Sequence, residues 1–335
     1  MKVLPTVPMV GQEAIGRTIQ NLIAQKVIPA IERKGARIFF SPPTATPKHF
    51  GFVHFSDWGT MGLREKPYPA SAPFFLFLLS GEGLVYVREN WYHLVAGHGI
   101  FVPHNCLHFP HGTVNNSVPH GRWLWVNVHP FGAVIHQCCL DDDSHFRSPV
   151  YAVVDKRLFW LFQEWEKEAI TRGCPDSLVS KSLLLAFFHL LVKPAPIPVS
   201  VWAEISLMLP ELPATLREAI LRLIQNYDAP CRLEDVSKQC GVSVFYLCKL
   251  FRRHLGTNPR AYAQRLRLKI AKQMLAETGV SPHKICQLVG YSNYNYFRKQ
   301  FQRTFGFAPS RQAVEHVKVW SPNPKTAALI DKLVP

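Results

Sequence analysis

The stretch GYSNYNYFRKQFQRTFGFAP, residues 290–309, concentrates aromatic, amide and cationic side chains near the end of the 335-residue chain. A similar stretch, GVSVFYLCKLFRRHLGTNP, lies upstream at residues 241–259. Both begin with glycine and have serine two positions later, and after one inserted residue they share phenylalanine, glycine and proline in the same order. An internal repeat of this kind indicates that one structural unit occurs twice.

Each stretch is predicted to form the second half of a helix-turn-helix unit. A short helical pattern precedes it, LEDVSKQC in the first copy and SPHKICQLV in the second. Ser243 and Ser292 are the predicted N-caps of the second helices, because a serine side chain accepts a hydrogen bond from the first helical turn. Gly256 and Gly306 are the predicted stops, since glycine readily adopts the left-handed conformation that ends a helix. The sequence therefore predicts two helix-turn-helix units.

The second helix of each unit is expected to have an apolar face and a polar face. Asparagine pairs with adenine, and lysine or arginine with guanine, so Lys249, Asn295 and Lys299 are predicted base contacts. Arg253 and Arg303 lie further along the helices and are predicted phosphate contacts. For every such residue the alternative is a solvated surface side chain. The complete predicted DNA-binding set is Ser243, Phe245, Cys248, Lys249, Arg252, Arg253, Asn293, Tyr294, Asn295, Arg298, Lys299 and Arg303.

The positive charge is concentrated on the same part of the chain. Residues 214–335 hold 20 Lys and Arg against 7 Asp and Glu, a net of +13, whereas residues 1–213 hold 18 against 16, a net of +2. Such asymmetry favours a polyanionic partner for the C-terminal third. Between the units, PRAYAQRLRLKIAKQMLAET is predicted to form one helix roughly 28 Å long. Adjacent major grooves on one face of DNA lie about 34 Å apart, so this helix is long enough to place the units in adjacent grooves of a bent duplex.

The N-terminal part changes character along the chain. An amphipathic helix is predicted within 11–34, and residues 36–130 contain short apolar runs separated by the turn-like segments SGEG, REN and AGHG. Many short strands at regular spacing predict a small β-barrel or jelly roll. Helical spacing returns at 155–192, where one apolar face is predicted. That face consists of Leu158, Phe159, Phe162 and Trp165.

Residues 217–312 resemble the DNA-binding domain of the AraC/XylS family of bacterial transcription regulators. The stretches that carry the resemblance are LEDVSKQCGVSVFYLCKLFRRHLGTNPRAY, RLRLKIAKQML and ICQLVGYSNYNYFRKQFQRTFGFAPS. The segment PSRQAV departs from the aromatic-arginine ending that is usual in the family. The resemblance implies two helix-turn-helix units on one half-site of double-stranded promoter DNA. It also implies a homodimer, with RNA polymerase as a further partner. In the family, helices such as those at 155–192 often form a dimer contact, so their apolar face either makes such a contact or covers the barrel.

The stretch from LLSGEGLVYV to WYHLVAGHGIFVPHNCLHF is similar to the cupin-like sensor barrel of the same family. Its final histidine falls where the second cupin motif has one, but the first motif, H-x-H with a downstream Glu, is missing. No metal site is therefore predicted, and the barrel is expected to bind a small-molecule effector, a sugar or related metabolite. The predicted ligand-binding residues are Arg64, Tyr86, Trp91, His104, His108 and Trp125. No cofactor and no catalytic residue is predicted.

The predicted fold class is α+β and multidomain. A cupin-like β-barrel or jelly roll with flanking helices precedes an all-α domain with two helix-turn-helix units. The predicted divisions are a helical extension at 1–35, a sensing and dimerisation domain at 36–192, a proline-rich linker at 193–213, a DNA-binding domain at 214–316 and a tail at 317–335. The linker is expected to be a semi-rigid spacer that couples the domains mainly by position.

The leading functional interpretation is a ligand-responsive, sequence-specific DNA-binding transcription regulator rather than an enzyme. One alternative is a ligand-blind dimeric DNA-binding protein, and another is a cupin enzyme with a helical appendage. The apolar runs are too short to span a bilayer and no signal peptide is apparent, so a cytoplasmic protein without membrane contact is expected.

Overall fold

The computed structural model describes residues 16–33, 38–39, 50–52, 68–70, 72–87, 90–114, 121–141, 144–147 and 150–316. Its architecture is α+β, with strands in the N-terminal part and helices in the C-terminal part. Arg64, residues 1–15 of the predicted extension and the tail at 317–335 lie outside the described residues. Within the described ranges, no helix combines the length and apolar character needed to cross a membrane.

The helices are α1 (Gly16–Leu22), α2 (Ile28–Glu32), α3 (Lys156–Glu166), α4 (Leu178–Leu191), α5 (Val199–Met208), α6 (Ala214–Gln225), α7 (Leu233–Gln239), α8 (Val244–Leu255), α9 (Pro259–Glu277), α10 (Pro282–Leu288), α11 (Tyr294–Phe305) and α12 (Pro309–His316). The strands are β1 (Ile38–Phe39), β2 (Phe50–Phe52), β3 (Tyr68–Pro69), β4 (Phe74–Val87), β5 (Asn90–Val95), β6 (Gly99–Val102), β7 (Leu107–Val114), β8 (Gly121–His129), β9 (Gly132–Asp141), β10 (Ser144–Arg147), β11 (Tyr151–Val154) and β12 (Ile197–Pro198).

The strands are arranged around the long strand β4. One sheet has the order β1-β6-β4-β8-β9-β11-β12, while the C-terminal half of β4 pairs with β5 and β7. The segment SGEG was predicted to be a tight turn, and this prediction is wrong because β4 continues through it. Gly81 has a φ of 81°, and the pairing with β8 shifts register between Leu78 and Ser80. The strand therefore bends at this point instead of reversing.

Side-chain alternation along β8 separates two cores. Trp123 and Trp125 face an interior cluster that also contains residues of β4, β5 and β6. Leu124, Val126 and Val128 face the opposite way, into a cluster with α1 to α4. The period of two residues along a strand explains why neighbours in sequence belong to different cores. The N-terminal part is thus a β-structure with one face covered by helices.

The predicted apolar face at 155–192 belongs to this helical cover. Leu158, Phe162 and Trp165 are buried in the cluster against the sheet, and Phe162 is only 2% exposed. Its ring centroid lies 5.8 Å from that of Phe101. Phe159 packs partly buried on the same cluster. Of the two alternatives, covering the β-structure is correct, because side chains this deeply buried are unavailable to a second protomer.

The proline-rich segment 193–213 is folded, so its prediction as a spacer is wrong. It contains strand β12, which pairs with β11, and helix α5, in which Val201, Trp202 and Ile205 are buried. These apolar side chains belong to the same cluster as the core of the C-terminal domain. The prolines stand at the margins of these short elements, where a missing amide donor is tolerated. The segment therefore joins the two parts of the chain by packing.

Candidate nucleic-acid interface

The first helix-turn-helix unit consists of α7 and α8. Ser243 caps α8 as predicted, accepting a hydrogen bond from the Tyr246 amide at 3.2 Å. Gly256 ends the helix with a φ of 61°, and its amide donates to the Arg252 carbonyl at 3.1 Å. Leu247, Leu250 and Phe251 are buried. The cap and the buried face fix which side of α8 faces outward.

The second unit consists of α10 and α11, and its cap differs from the prediction. Asn293, not Ser292, caps α11, accepting from the Tyr296 amide at 2.9 Å. The second copy has one residue more than the first, and this extra residue therefore lies in the turn before α11 begins. Gly290 in this turn has a φ of 82°, and a Cβ there would lie 2.5 Å from the Asp228 carbonyl oxygen. Only glycine fits this close approach without displacing the backbone.

The two caps define a structural register between the recognition helices α8 and α11. Both helices contain 12 residues and begin one position after their caps. Phe245 therefore occupies the position of Asn295, and Lys249 occupies that of Lys299. Matching the helices by their caps pairs residues at equivalent helical positions, whose side chains project in equivalent directions.

The outer faces of α8 and α11 carry the predicted DNA-binding side chains. All of the predicted residues except Cys248 and Tyr294 are exposed, and those two are half-buried. On α8 the face runs from Phe245 through Lys249 to Arg252 and Arg253. On α11 the corresponding face combines an amide with cationic groups, and consists of Asn295, Arg298, Lys299 and Arg303. The structure brings each predicted set together on one helix face.

Aromatic packing holds α11 in place. The rings of Phe297 and Phe301 are fully buried, with centroids 5.7 Å apart. Phe301 also meets Phe305 at 4.7 Å and Phe307 at 5.8 Å. The aromatic residues of the repeat therefore form the inner face of the helix, and the amides and cations are left on the outer face.

Helix α9 connects the units, and its residue Arg267 was not identified from the sequence. The Arg267 guanidinium donates to the Tyr227 carbonyl at 2.6 Å, to the Ala229 carbonyl and to the Gly290 carbonyl at 3.4 Å. It ties the end of α6 to the turn of the second unit. The sequence marks Arg267 only as one of many cations on a helix, so periodicity alone does not distinguish it.

The residues predicted to bind a small molecule are not gathered in one place. Trp125 faces the interior core and stacks on His136, with centroids 5.5 Å apart. Tyr86 and Trp91 are a cross-strand pair with centroids 5.3 Å apart. Their strand neighbours face the interior core, so alternation places this pair on the opposite face from Trp125. His104 lies exposed in the turn after β6, and His108 lies in β7 opposite Val87.

Among the described residues, no group of three His, Cys, Asp or Glu side chains is placed to hold a metal ion. A cavity of about 300 Å³ lies beside α6 and α7, lined in part by Arg222, Arg232 and Arg267. Two of these guanidiniums already have partners, since Arg222 donates to Glu218 at 2.8 Å and Arg267 binds backbone carbonyls. The described contacts of these lining residues therefore hold the protein's own structure together.

The sequence also did not reveal the contact between the N-terminal part and the DNA-binding part. Arg17 of α1 donates to the Asp228 carboxylate at 2.9 and 3.2 Å. Gln225 donates to the Val154 carbonyl at 2.8 Å, and Tyr227 donates to the Pro196 carbonyl at 3.0 Å. Each pair is distant in sequence, and nothing in the local pattern marks it.

One half-buried acid lies near this contact. Glu277, at the end of α9, has a carboxylate oxygen, Oε2, that is fully buried without a hydrogen-bond partner, and Oε1 accepts from Gln273. Burial raises the pKa of Glu277 to about 7. The Glu277 charge also contributes to the raised pKa of Tyr151, after the larger effect of burial on that buried hydroxyl in β11. An ionisable group thus lies where the two parts of the chain meet.

Comparisons with known proteins found a family match in the C-terminal part of the chain and several similar transcriptional regulators. Residues 236–312 match the family model of a helix-turn-helix domain. The chain is 36% identical over 92 residues to a raffinose operon transcriptional regulatory protein of Pediococcus pentosaceus, a match that covers 28% of this chain and 33% of that protein's length. It is 27% identical over 238 residues to a probable transcriptional regulator, LumQ, of Photobacterium leiognathi, covering 70% of this chain and 86% of the relative. A solved AraC-type DNA-binding regulator structure from Chromobacterium violaceum is 29% identical, with a TM-score of 0.30, and the match covers 32% of this chain and 95% of that one.

Proposed function

We propose that the chain is a transcription regulator of the AraC type that binds promoter DNA sequence-specifically, since its C-terminal part matches the model of a helix-turn-helix domain and the chain is similar to known transcriptional regulators. The observation that carries this proposal is the pair of recognition helices with exposed polar and cationic outer faces. Helix α9 joins the two units, and both pack in one apolar cluster. Two recognition helices on one chain suit one half-site that spans two successive major grooves.

DNA binding by the full-length chain tests this proposal. Duplexes selected from a random library should show a protected footprint, and the affinity should fall steeply with salt because lysine and arginine displace counterions from phosphates. A matched chain in which Arg253 and Arg303 are alanine should show a shallower salt dependence. Binding without any sequence preference, at every salt concentration, would contradict the proposal.

The N-terminal part is proposed to be a cupin-like sensor for a small molecule. Trp125 and His136 stack in the interior core, where an aromatic ring presents a face that suits the apolar side of a sugar. Similarity to the raffinose operon regulatory protein of Pediococcus pentosaceus favours a sugar or related metabolite as the effector. A thermal-shift screen of the full chain against sugars tests this, and the shift should be lost in Trp125→Phe. If no compound shifts the melting temperature, the ligand-blind alternative is favoured.

Control of DNA binding is proposed to pass through the packed contact between the two parts. Arg17 reaches Asp228 from helix α1, whose Gln20 is buried and donates to the Leu191 and Pro194 carbonyls. The Asp228 backbone in turn abuts Gly290, in the turn that precedes α11. A chain of contacts therefore leads from the β-structure and its helices to the second recognition helix. An effector changes this contact only if it binds with different affinity to the chain with the two parts packed together and to the chain with the two parts separated.

The chain is also proposed to act as a cytoplasmic homodimer, with RNA polymerase as a further partner at the promoter. Two linked DNA-binding domains raise the effective concentration of the second domain once the first is bound. The full-length chain should therefore bind a duplex with two half-sites much more tightly than a duplex with one. Equal affinity for both duplexes at matched salt would contradict dimeric binding.

A further inference from the structure

We propose that Phe245 reads a thymine methyl group in the segment of the half-site that the first helix-turn-helix unit covers. This inference rests on the proposed DNA-binding function and adds a sequence preference to it. It is carried by the side chain's exposure, by its place in the register of the two recognition helices and by the charges beside it.

Phe245 is the most exposed large aromatic residue of the described chain, at 81%. It lies in the first turn of α8, two positions after the cap residue Ser243. Residues near the start of a recognition helix are the ones that reach base edges in the major groove. A single exposed phenylalanine is common on protein surfaces. The reason to expect a base contact from Phe245 is its position at the start of this helix.

The register of the two units strengthens the assignment. Phe245 stands where α11 has Asn295, an amide suited to hydrogen-bond adenine. A phenyl ring makes no such hydrogen bond, so the first unit requires a different feature of the base pair at this position. Thymine alone among the four bases presents an apolar group, its C5 methyl, to the major groove. The two units therefore read equivalent positions by different chemistry.

The surroundings of Phe245 favour DNA over another partner. Lys249 lies one turn further along the same face, and Arg252 and Arg253 lie two turns further along, all exposed. This face is cationic beyond its first turn, which suits a phosphate backbone and disfavours docking by a second copy of the same basic surface. The phosphate contacts would hold the start of α8 against the bases.

Uracil replacement in DNA tests the proposal directly, because uracil differs from thymine only by the missing methyl. A duplex is first selected from a random library with the full-length protein, and each thymine is then replaced in turn by uracil. One replacement should weaken wild-type binding by about fourfold, the effect of one methyl group lost from an apolar contact. The sensitive thymine should lie in the part of the half-site that remains protected in the Asn295→Ala variant. This is expected because Asn295 belongs to the second unit, whereas Phe245 belongs to the first.

Variants of Phe245 complete the test as a double-mutant cycle. Phe245→Ala should bind the selected duplex about tenfold more weakly, and the critical uracil replacement should then cause no further loss. Phe245→Leu should keep most of the methyl dependence. The control Leu178→Ala removes a side chain that is 82% exposed on α4, away from the interface, and should leave binding unchanged.

Three results would overturn the assignment while leaving DNA binding intact. These are a uracil scan without a sensitive position, equal losses from uracil in wild type and Phe245→Ala, and an equal loss by Phe245→Ala on selected and random DNA. If the wild-type chain leaves no footprint on any selected duplex, the proposed function itself fails and this inference fails with it.

Discussion

At the scale of single residues, the proposed discrimination between base pairs by the second unit depends on side chains of α11. Asn295 and Lys299 are exposed, lie one turn apart and share a face whose opposite side is held by Phe297 and Phe301. Because the inner face is locked by aromatic packing, substitutions on the outer face should change recognition with little effect on folding. This separation makes the outer residues suitable for direct tests.

Asn295→Ala and Lys299→Ala should each weaken binding to the selected site more than binding to random DNA. The expected loss of discrimination is about 1–3 kcal/mol at one base pair, because a bidentate base contact is removed. Titrations on both kinds of DNA at one salt concentration measure it. Equal losses on the two kinds would assign these side chains to phosphates. Arg303→Ala, at a predicted phosphate contact, is the matched comparison.

Glu277→Gln should change the pH dependence of stability. The folded pKa of about 7 lies above the ordinary value of 4.5, so this group contributes stability below pH 4.5 that is lost as the pH rises through about 7. At about pH 8 the variant should gain up to roughly 3 kcal/mol on wild type, since one pKa unit corresponds to about 1.4 kcal/mol. Most of this advantage should disappear by about pH 5.

Denaturant unfolding at the two pH values measures the effect of Glu277→Gln. Glu204→Gln, which removes an exposed carboxylate paired with Lys269, serves as the control for the loss of a surface carboxylate. A Glu277→Gln profile parallel to that of wild type would show that the carboxyl group does not titrate at this contact.

At the scale of the elements, the turn of the second unit is organised around a cap that the sequence pattern placed one residue too early. Asn293 accepts the amide of Tyr296, whereas Ser292 is exposed in the turn. Asparagine and serine are equally good caps, so residue type alone does not choose between neighbours. The choice follows from where α11 must begin for Phe297 and Phe301 to enter the core.

Asn293→Ala should destabilise the first turn of α11 by about 1 kcal/mol, because the capping hydrogen bond is lost. Ser292→Ala is the matched control, with an expected change within about 0.5 kcal/mol. Amide hydrogen exchange of the α11 residues in the absence of DNA resolves this local effect. A larger effect from Ser292→Ala than from Asn293→Ala would contradict the assigned cap.

At the scale of the whole molecule, the DNA-binding part is packed against the β-structure. A single apolar cluster includes Ala152 and Val154 of β11, residues of α5 and the core of the helix-turn-helix units. Phe131, in the turn between β8 and β9, lies 5.1 Å from Trp202 of α5, measured between ring centroids. A buried contact of this kind restrains the relative positions of the two parts far more than a proline-rich tether would.

The Arg17–Asp228 ion pair should contribute to this restraint. A double-mutant cycle with Arg17→Ala and Asp228→Ala should give a coupling of about 0.5–1 kcal/mol, because the pair is partly shielded and held by two hydrogen bonds. The Lys269–Glu204 pair joins α9 to α5 but is more than half exposed on both sides, so it should give a smaller coupling. Denaturant midpoints of the full chain measure both cycles. Coupling no larger than in the exposed control would show that Arg17 does not hold Asp228 in solution.

The amino-acid sequence by itself determined the two helix-turn-helix units and the outward residues of their second helices. It did so because caps, glycine stops and helical periodicity are local signals that the chain carries within a few residues. It also predicted the change from strands to helices and the α+β class. The alternation of short apolar runs is likewise a local signal.

Tertiary structure alone decided which residues meet across the chain. Segment 193–213 reads as a linker by its prolines, yet it folds because partners more than 40 residues away in sequence bury its apolar side chains. By their spacing alone, Leu158, Phe162 and Trp165 suit a dimer face as well as a cover, and the folded structure packs them against the sheet. The separation of Trp125 from Tyr86 and Trp91 depends on strand register, and the contacts of Arg267 and Arg17 depend on backbone carbonyls and a carboxylate brought close by folding. Long-range contacts are set by the packing of whole elements, which no local pattern encodes.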